Sequence, residues 1–141
     1  MSALESVMSI ASDGMRVERA RLEVATQNLA NAGAVRSADG RVYQPSRVVS
    51  YMRGSNDSPG FNLEFGRGPT FEIVQEAVQS RLVSDPNSPL ADANGLVEVS
   101  AVNPATEMVE ITAAVRAYEA NVRSFNAARA MAVRALSIGE R

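Results

Sequence analysis

The chain has no cysteine, no histidine, no tryptophan and no lysine among its 141 residues. Without cysteine there are no disulfides, no zinc–thiolate sites and no thiol nucleophile, and the compartment is left open. Without histidine the commonest general base and metal ligand is missing. Aromatics make up only 5% of residues, while hydrophobic residues reach 45%, many of them alanine. Such a composition buries little area per residue, so an isolated monomer is expected to be marginal. All 14 basic residues are arginine, against 16 acids, for a net charge of −2 with no block of one sign. That balance argues against a nucleic-acid footprint, which would be a basic patch. No apolar run approaches the ~20 residues of a membrane span. At the N-terminus, Glu5 and Asp13 interrupt what a cleaved secretory signal would need, so none is expected. Catalysis is a poor prospect from the outset.

What is present is helical periodicity at both ends. From Asn103 to Gly139, apolar residues fall at Met108, Ile111, Val115, Tyr118, Val122 and Phe125, then at Ala132 and Leu136. Alternating steps of three and four describe the a/d seam of a heptad. Asn103 is placed to cap the helix, Pro104 suits its first position, and Gly139 suits its end. Acidic Glu107 and Glu110 lie near its positive end, and Glu119 faces Arg123 one turn on. A second helix is expected from about Ser2 to Asn31, with Ser2 and Glu5 at capping-box spacing and Gly33 beyond the end. Its seam reads Leu4, Met8, Ala11, Met15, Glu18, Leu22, Ala25, Leu29, Ala32. Two matching seams imply that the chain folds back, with the terminal helices antiparallel as a coiled coil. Alanine at many seam positions leaves a lone pair under-buried, so helices from other copies are plausible partners. A helical hairpin within one globular domain is the plainer alternative.

The middle has a different composition, with seven of nine glycines and five of six prolines between Gly33 and Val102. Three regions follow: residues 1–32 as the N-terminal helix, 33–102 as a small irregular β-rich insert, and 103–141 as the C-terminal helix. Strand-like pieces are Val42–Met52, Phe61–Phe65, Thr70–Val78 and Leu96–Val99, with Asp39-Gly40 as a hairpin turn. The stretch from Phe71 to Val78 could instead be a short helix. Gly54–Gly60 and Ser84–Pro89 are loop chemistry. The fold class is therefore mainly α with a β-rich insert.

Candidate chemical sites fail on spacing. Asp85 to Gly95 has the acids of a calcium loop, but Pro89 and Leu90 occupy ligand positions and no glutamate closes it, so a turn is the better reading. Gly66-Arg67-Gly68-Pro69 lacks the Lys-Ser/Thr of a phosphate loop and also reads as a turn. Asn28 and Asn31 are either C-terminal caps or residues that fix the exit from a packed bundle. Tyr118 belongs to the seam, whereas Glu119 and Asn121 point off it and can reach neighbours. No catalytic residue, metal ligand or cofactor is assigned.

Three of these segments carry a resemblance. Asn28-Leu29-Ala30-Asn31 resembles the signature that ends the first helix of bacterial flagellar rod and hook proteins. Glu107-Met108-Val109, Arg116 to Asn121 and the closing Leu136-Ser137-Ile138-Gly139 are similar to their C-terminal signature. Asp85-Pro86 through Asp92 and Gly95 to Val97 resembles an element typical of proximal-rod members. Ser88 and Leu90 depart from the usual residues there, as does the stretch from Ser100 to Pro104, and these departures bear on loop contacts. The resemblance spans the whole chain. It implies a structural subunit of the proximal rod in the periplasm, the drive shaft that transmits torque and surrounds an export channel. It also implies homo-oligomeric packing and type III export without a cleaved signal peptide. Implied partners are other rod proteins, the basal adapter, the MS-ring protein and the flagellar export apparatus, with no nucleic acid and no membrane span. The residues expected to carry assembly are Leu4, Met8, Met15, Leu22, Leu29, Met108, Ile111, Val115, Tyr118, Val122 and Phe125. Rival readings are another axial protein of rod or hook, or a cytoplasmic coiled-coil adaptor or export chaperone.

Overall fold

A computed structural model describes residues 3–37, 39–52 and 68–139. Helix α1 spans Ala3–Ala30 and helix α2 spans Pro104–Gly139. Between them lie four short strands: β1 Ser46–Met52, β2 Pro69–Gln75, β3 Arg81–Ser84 and β4 Leu96–Val99. The start of α2 follows the expected chemistry. Asn103 Oδ1 accepts from the Ala105 N–H at 3.0 Å, and Asn103 O takes the first helical bond from Glu107 at 3.2 Å. At the end of α1, Asn31 Nδ2 donates to Gln27 O at 2.8 Å, a carbonyl that also accepts the Asn31 backbone N–H at 3.2 Å. Gly139, expected just beyond the end of α2, is still helical. The capping box of Ser2, the expected strand Phe61–Phe65 and the loop Gly54–Gly60 lie outside the described residues, as does Arg67 of the glycine-rich turn.

The terminal helices are antiparallel. Asn28 bonds Glu107, and Gly14 faces Asn121, so both helices advance fourteen residues between the two contacts. Packing is close because small residues meet. A Cβ added at Gly14 would come within 2.9 Å of the Asn121 amide. Among the described residues the buried hydrophobic ones are Ala11, Val17, Ala20, Val24, Ala25, Ala32, Val97, Val102, Ala114 and Ala128. Every one is alanine or valine, so close backbone approach replaces interdigitated large side chains.

Strands β1 and β2 pair antiparallel, Ser46 opposite Gln75 and Met52 opposite Pro69, and this hairpin leans on α1. The segment from Phe71 is thus strand and not helix, because its partner β1 supplies a ladder that local propensity does not encode. Strand β1 begins at Ser46 and not at Val42, since Pro45 interrupts the chain. Strands β3 and β4 form a second antiparallel pair, and Val35 adds a bridge to Val99. The Asp39-Gly40 turn is present, closed by Gly40 N–H to Ser37 O at 2.9 Å and Ser37 N–H to Arg41 O at 2.8 Å.

The close approach at Gly14 yields a test by chemical denaturation. In an Asn121→Ala background the obstruction is gone, and Gly14→Ala should then raise stability by about 0.5–1 kcal/mol through helix propensity. In the wild-type background the same change should gain less, because the Asn121 side chain must give way.

Candidate assembly interface

One buried polar junction decides where the helices and the first hairpin meet. Asn28, on the last turns of α1, has no exposed surface. Its Nδ2 donates to Ser46 O at 2.9 Å and to Glu107 Oε2 at 3.1 Å. Its Oδ1 accepts from Tyr43 Oη at 2.9 Å and from the Ser46 N–H at 3.0 Å. Both donors and both acceptors of the amide are used, a complete satisfaction for a buried asparagine. Glu107, only 1% exposed, is held further by Arg47 Nη1, at 2.8 Å from Oε1 and 3.1 Å from Oε2. Arg47 Nε reaches Glu76 Oε2 at 3.2 Å. The network thus ties α1, α2, β1 and the chain after β2 at one point. Burial pushes the Tyr43 phenol above its usual 10.0, and the Glu107 charge pushes the same way. Burial works to lower the Arg47 pKa, but its hydrogen bond to Glu107 and the charges of Glu107 and Glu76 outweigh that and raise it.

The residues expected to carry assembly divide by position. On α1, Leu4, Met8, Met15, Leu22 and Leu29 are half-buried. On α2, Ile111, Val122 and Phe125 are half-buried, whereas Met108, Val115 and Tyr118 are exposed, Met108 by 59%. The inner seam of α2 instead runs through Glu107, Ala114 and Ala128, with Ala117, Asn121 and Ala132 half-buried. Asn121 therefore faces α1, where off-seam contact with neighbours was expected. Glu119 does point out to solvent. Small residues meet within the chain, and the larger ones are rotated toward its flank.

That flank is a distinct surface. A groove of about 450 Å³ between the helices is lined by Leu22, Ala114, Val115 and Tyr118, with Glu18, Arg19 and Glu119 at its rim. The opposite groove between the helices is lined by Arg21, Val24, Ala25, Glu110 and, from β1, Arg47 and Val48. So the hairpin attends one side of the helix pair and leaves the more apolar side open. Exposed Val133, Leu136 and Ile138 continue the apolar character to the end of α2. The chain exposes 10152 Å², against about 7000 Å² for a compact chain of 15.0 kDa.

The remaining motif is a turn. Asp92 Oδ1 accepts from the N–H groups of Asn94 and Leu96, both at 2.8 Å, and Asp85 N–H bonds Gly95 O at 3.0 Å. The backbone bonds from Leu96 and Asn94 hold the Asp92 carboxyl below its ordinary pKa. Gly95 has φ +72°, where a side chain would be strained. The motif residues Asp85, Pro86, Asp92 and Gly95 therefore close the β3–β4 hairpin, and Asp85 and Asp92 are engaged in making the loop. Among the described residues no three acidic side chains gather as a metal site, and no helix is long and apolar enough to cross a membrane.

Sequence reasoning did not find Tyr43 and Arg47 as members of the junction. Asn28 could be singled out only as a helix-end asparagine, because its partners arrive from residues far along the chain.

Asn28→Ala should cost about 3 kcal/mol or more in denaturant unfolding, since it strands the Ser46 backbone groups and one contact of buried Glu107. Tyr43 gives a pH signature. Its folded-state pKa lies above the unfolded one, so its contribution is complete below pH ~10 and is lost as pH rises through the folded value. Unfolding free energy should therefore fall above pH ~10, and Tyr43→Phe should flatten that part of the profile.

Comparison with known proteins agrees with the signatures at both helix ends. The family described as "Flagellar basal body rod FlgEFG protein C-terminal" matches residues 93–138, which include all but the last residue of α2. The chain is 34% identical over 138 residues to flagellar basal-body rod protein FlgC of Escherichia coli O157:H7, covering 98% of this chain and 99% of that one. It is 33% identical, with the same coverage, to FlgC of Salmonella typhimurium strain LT2. FlgC of Bacillus subtilis strain 168 matches at 30% over 151 residues, covering 99% of this chain and all of the relative. Identity at this level across both helices, the hairpins and the turn places the chain in the FlgC family of flagellar basal-body rod proteins.

Proposed function

We propose that the chain is a structural subunit of the flagellar basal-body rod and that its terminal helices complete their burial only against neighbouring subunits. The carrying observation is near-full-length similarity to FlgC proteins in a chain whose larger helix residues are left at its surface. Within that reading the rod crosses the periplasm, transmits torque, and encloses an export channel whose wall includes these helices. Torque shared over many helix–helix contacts suits the role better than surface ion pairs, each worth under ~1 kcal/mol. The helix residues Leu4, Met8, Met15, Leu22, Leu29, Met108, Ile111, Val115, Tyr118, Val122 and Phe125 form the proposed contact set.

The partners of this reading are further copies and other rod proteins, with the basal adapter and MS-ring protein at the base. Delivery is by the flagellar type III apparatus. A cysteine-free chain with an alanine–valine core suits that route, because little must be unmade before threading and much is gained on assembly.

Mass spectrometry of detergent-purified hook–basal bodies should recover peptides of this chain in fixed ratio to ring proteins. Recovery only from the soluble fraction, as a small folded oligomer, would instead establish an adaptor or chaperone. Val115→Asp separates folding from assembly: Val115 is 40% exposed within the chain, so the helical content of the purified protein should be kept. Swimming and rod assembly should be lost, because the charge would be buried unpaired against the neighbour. Normal swimming would remove Val115 from the contact set.

A further inference from the structure

The turn between β3 and β4 contains the chain's one asparagine–glycine step, Asn94-Gly95. In an unfolded chain that dipeptide is prone to lose its side-chain amide. The Gly95 backbone nitrogen attacks the Asn94 side-chain carbonyl carbon, and glycine leaves the approach unobstructed and the backbone free to turn. The nitrogen gives up its proton as the new C–N bond forms, ammonia leaves, and a cyclic imide remains. Water then opens the imide at one carbonyl or the other, giving aspartate or isoaspartate at position 94. One water is taken up, one ammonia is released, and nothing is oxidised.

In the folded chain both reacting groups are already held. The Gly95 N–H donates to Asp92 O at 3.0 Å, which pins the nucleophile. Asp92 Oδ1 accepts the backbone N–H groups of Asn94 and Leu96, each at 2.8 Å. The Asn94 side-chain amide also bonds the Asp92 carboxyl. Beyond the turn, Gly95 O accepts from the Asp85 N–H at 3.0 Å, and Leu96 O accepts from the Asp92 N–H at 2.8 Å. Turning the Gly95 nitrogen onto the Asn94 side chain requires these bonds to break together. The Asp92 carboxylate is also an anion close to the N–H that must lose its proton, and that disfavours the step. Asn94 is exposed, so water reaches it and burial gives no protection. The protection is conformational.

We propose that Asn94 is a latent deamidation site guarded by the turn that Asp92 holds, closed while β3 and β4 are paired and open when they separate. Asp92 is then a positioning residue as well as a turn former. Isoaspartate would route the main chain through one more methylene just before Gly95. The donors of residues 94–96 would no longer converge on Asp92, and the turn could not be rebuilt. A chain held unfolded therefore ages at this step, while a folded one is spared. The guard operates whatever the chain assembles with.

The full-length protein is incubated at mildly alkaline pH, native or in denaturant, and tryptic peptide 82–116 is followed by mass spectrometry that separates aspartate from isoaspartate. The same peptide contains Asn87-Ser88 as an internal comparison. Conversion at Asn94 should be roughly ten-fold or more slower in the native protein than in denaturant, where isoaspartate should exceed aspartate and Asn87 should lag behind. Native Asp92→Ala, with its helices intact by circular dichroism, should approach the denatured rate. Asp92→Asn keeps an oxygen acceptor for the two N–H groups and should keep most of the protection. Equal rates for native and denatured wild type would overturn the guard, and an unchanged Asn94 in denaturant would overturn the site. A helical Asp92→Asn that converts as fast as the denatured chain would overturn the role given to Asp92 Oδ1, as would an Asp92→Ala as protected as wild type.

Discussion

The fold depends on a fully buried amide. Asn28 uses all four of its hydrogen-bonding positions, and through them α1, β1 and α2 are fixed to one another. A buried polar group of this kind contributes modestly when satisfied and costs heavily when not, so it selects one arrangement sharply over its competitors. The alternatives here are near at hand. Two long helices with alanine-rich faces can slide by a turn, or rotate, without much change in buried apolar area. Only one register brings Asn28, Glu107 and Arg47 together. The junction thus supplies the specificity that an alanine–valine core cannot.

That division explains why the chain is stable enough to be ordered and still unfinished. Alanine and valine at the inner seam permit close approach, as at Gly14 and Asn121, but remove little apolar area from water per residue. The larger side chains Met108, Val115, Tyr118 and Leu136 keep 40–73% of their surface exposed, so a good part of their apolar area gains nothing within a single chain. In a free-standing protein this distribution would be a poor use of hydrophobic residues and a hazard for aggregation. In a subunit whose final state is an assembly it moves the folding free energy from the monomer to the interface.

Much of this was legible in the sequence, and what was not has a physical cause. The two helices, the Asn103 cap and the glycine- and proline-rich insert follow from local periodicity and turn chemistry, and strand β4 falls at Leu96–Val99 as expected. Strand β3 was not foreseen, because Arg81–Ser84 is four residues long, wholly exposed, and ordered by pairing with β4. The apolar seam was visible as a stripe, but a stripe states only which residues share a face. It does not say whether that face meets the other helix of the chain or a helix of another. Here the 3–4 spacing of large residues marks the flank, and an adjacent stripe of alanines marks the internal contact. The polar junction was unreadable because it is built from Asn28, Tyr43, Arg47 and Glu107, whose meeting requires the whole chain to have folded back.

The two kinds of contact suit opposite ends of the subunit's history. A junction of hydrogen bonds and two ion pairs is directional, so it is made only when the backbone is already placed. Unfolding it returns every group to water, where each finds new hydrogen-bond partners. Apolar flanks are undirected and gain in proportion to area, so under the proposed assembly their contribution does not wait on exact register. Polar fixation inside the chain combined with apolar adhesion between chains gives a shaft whose subunits are individually easy to unfold. Once stacked, they resist shear over many shared contacts, and the strength of the shaft then belongs to the assembly and not to any one subunit.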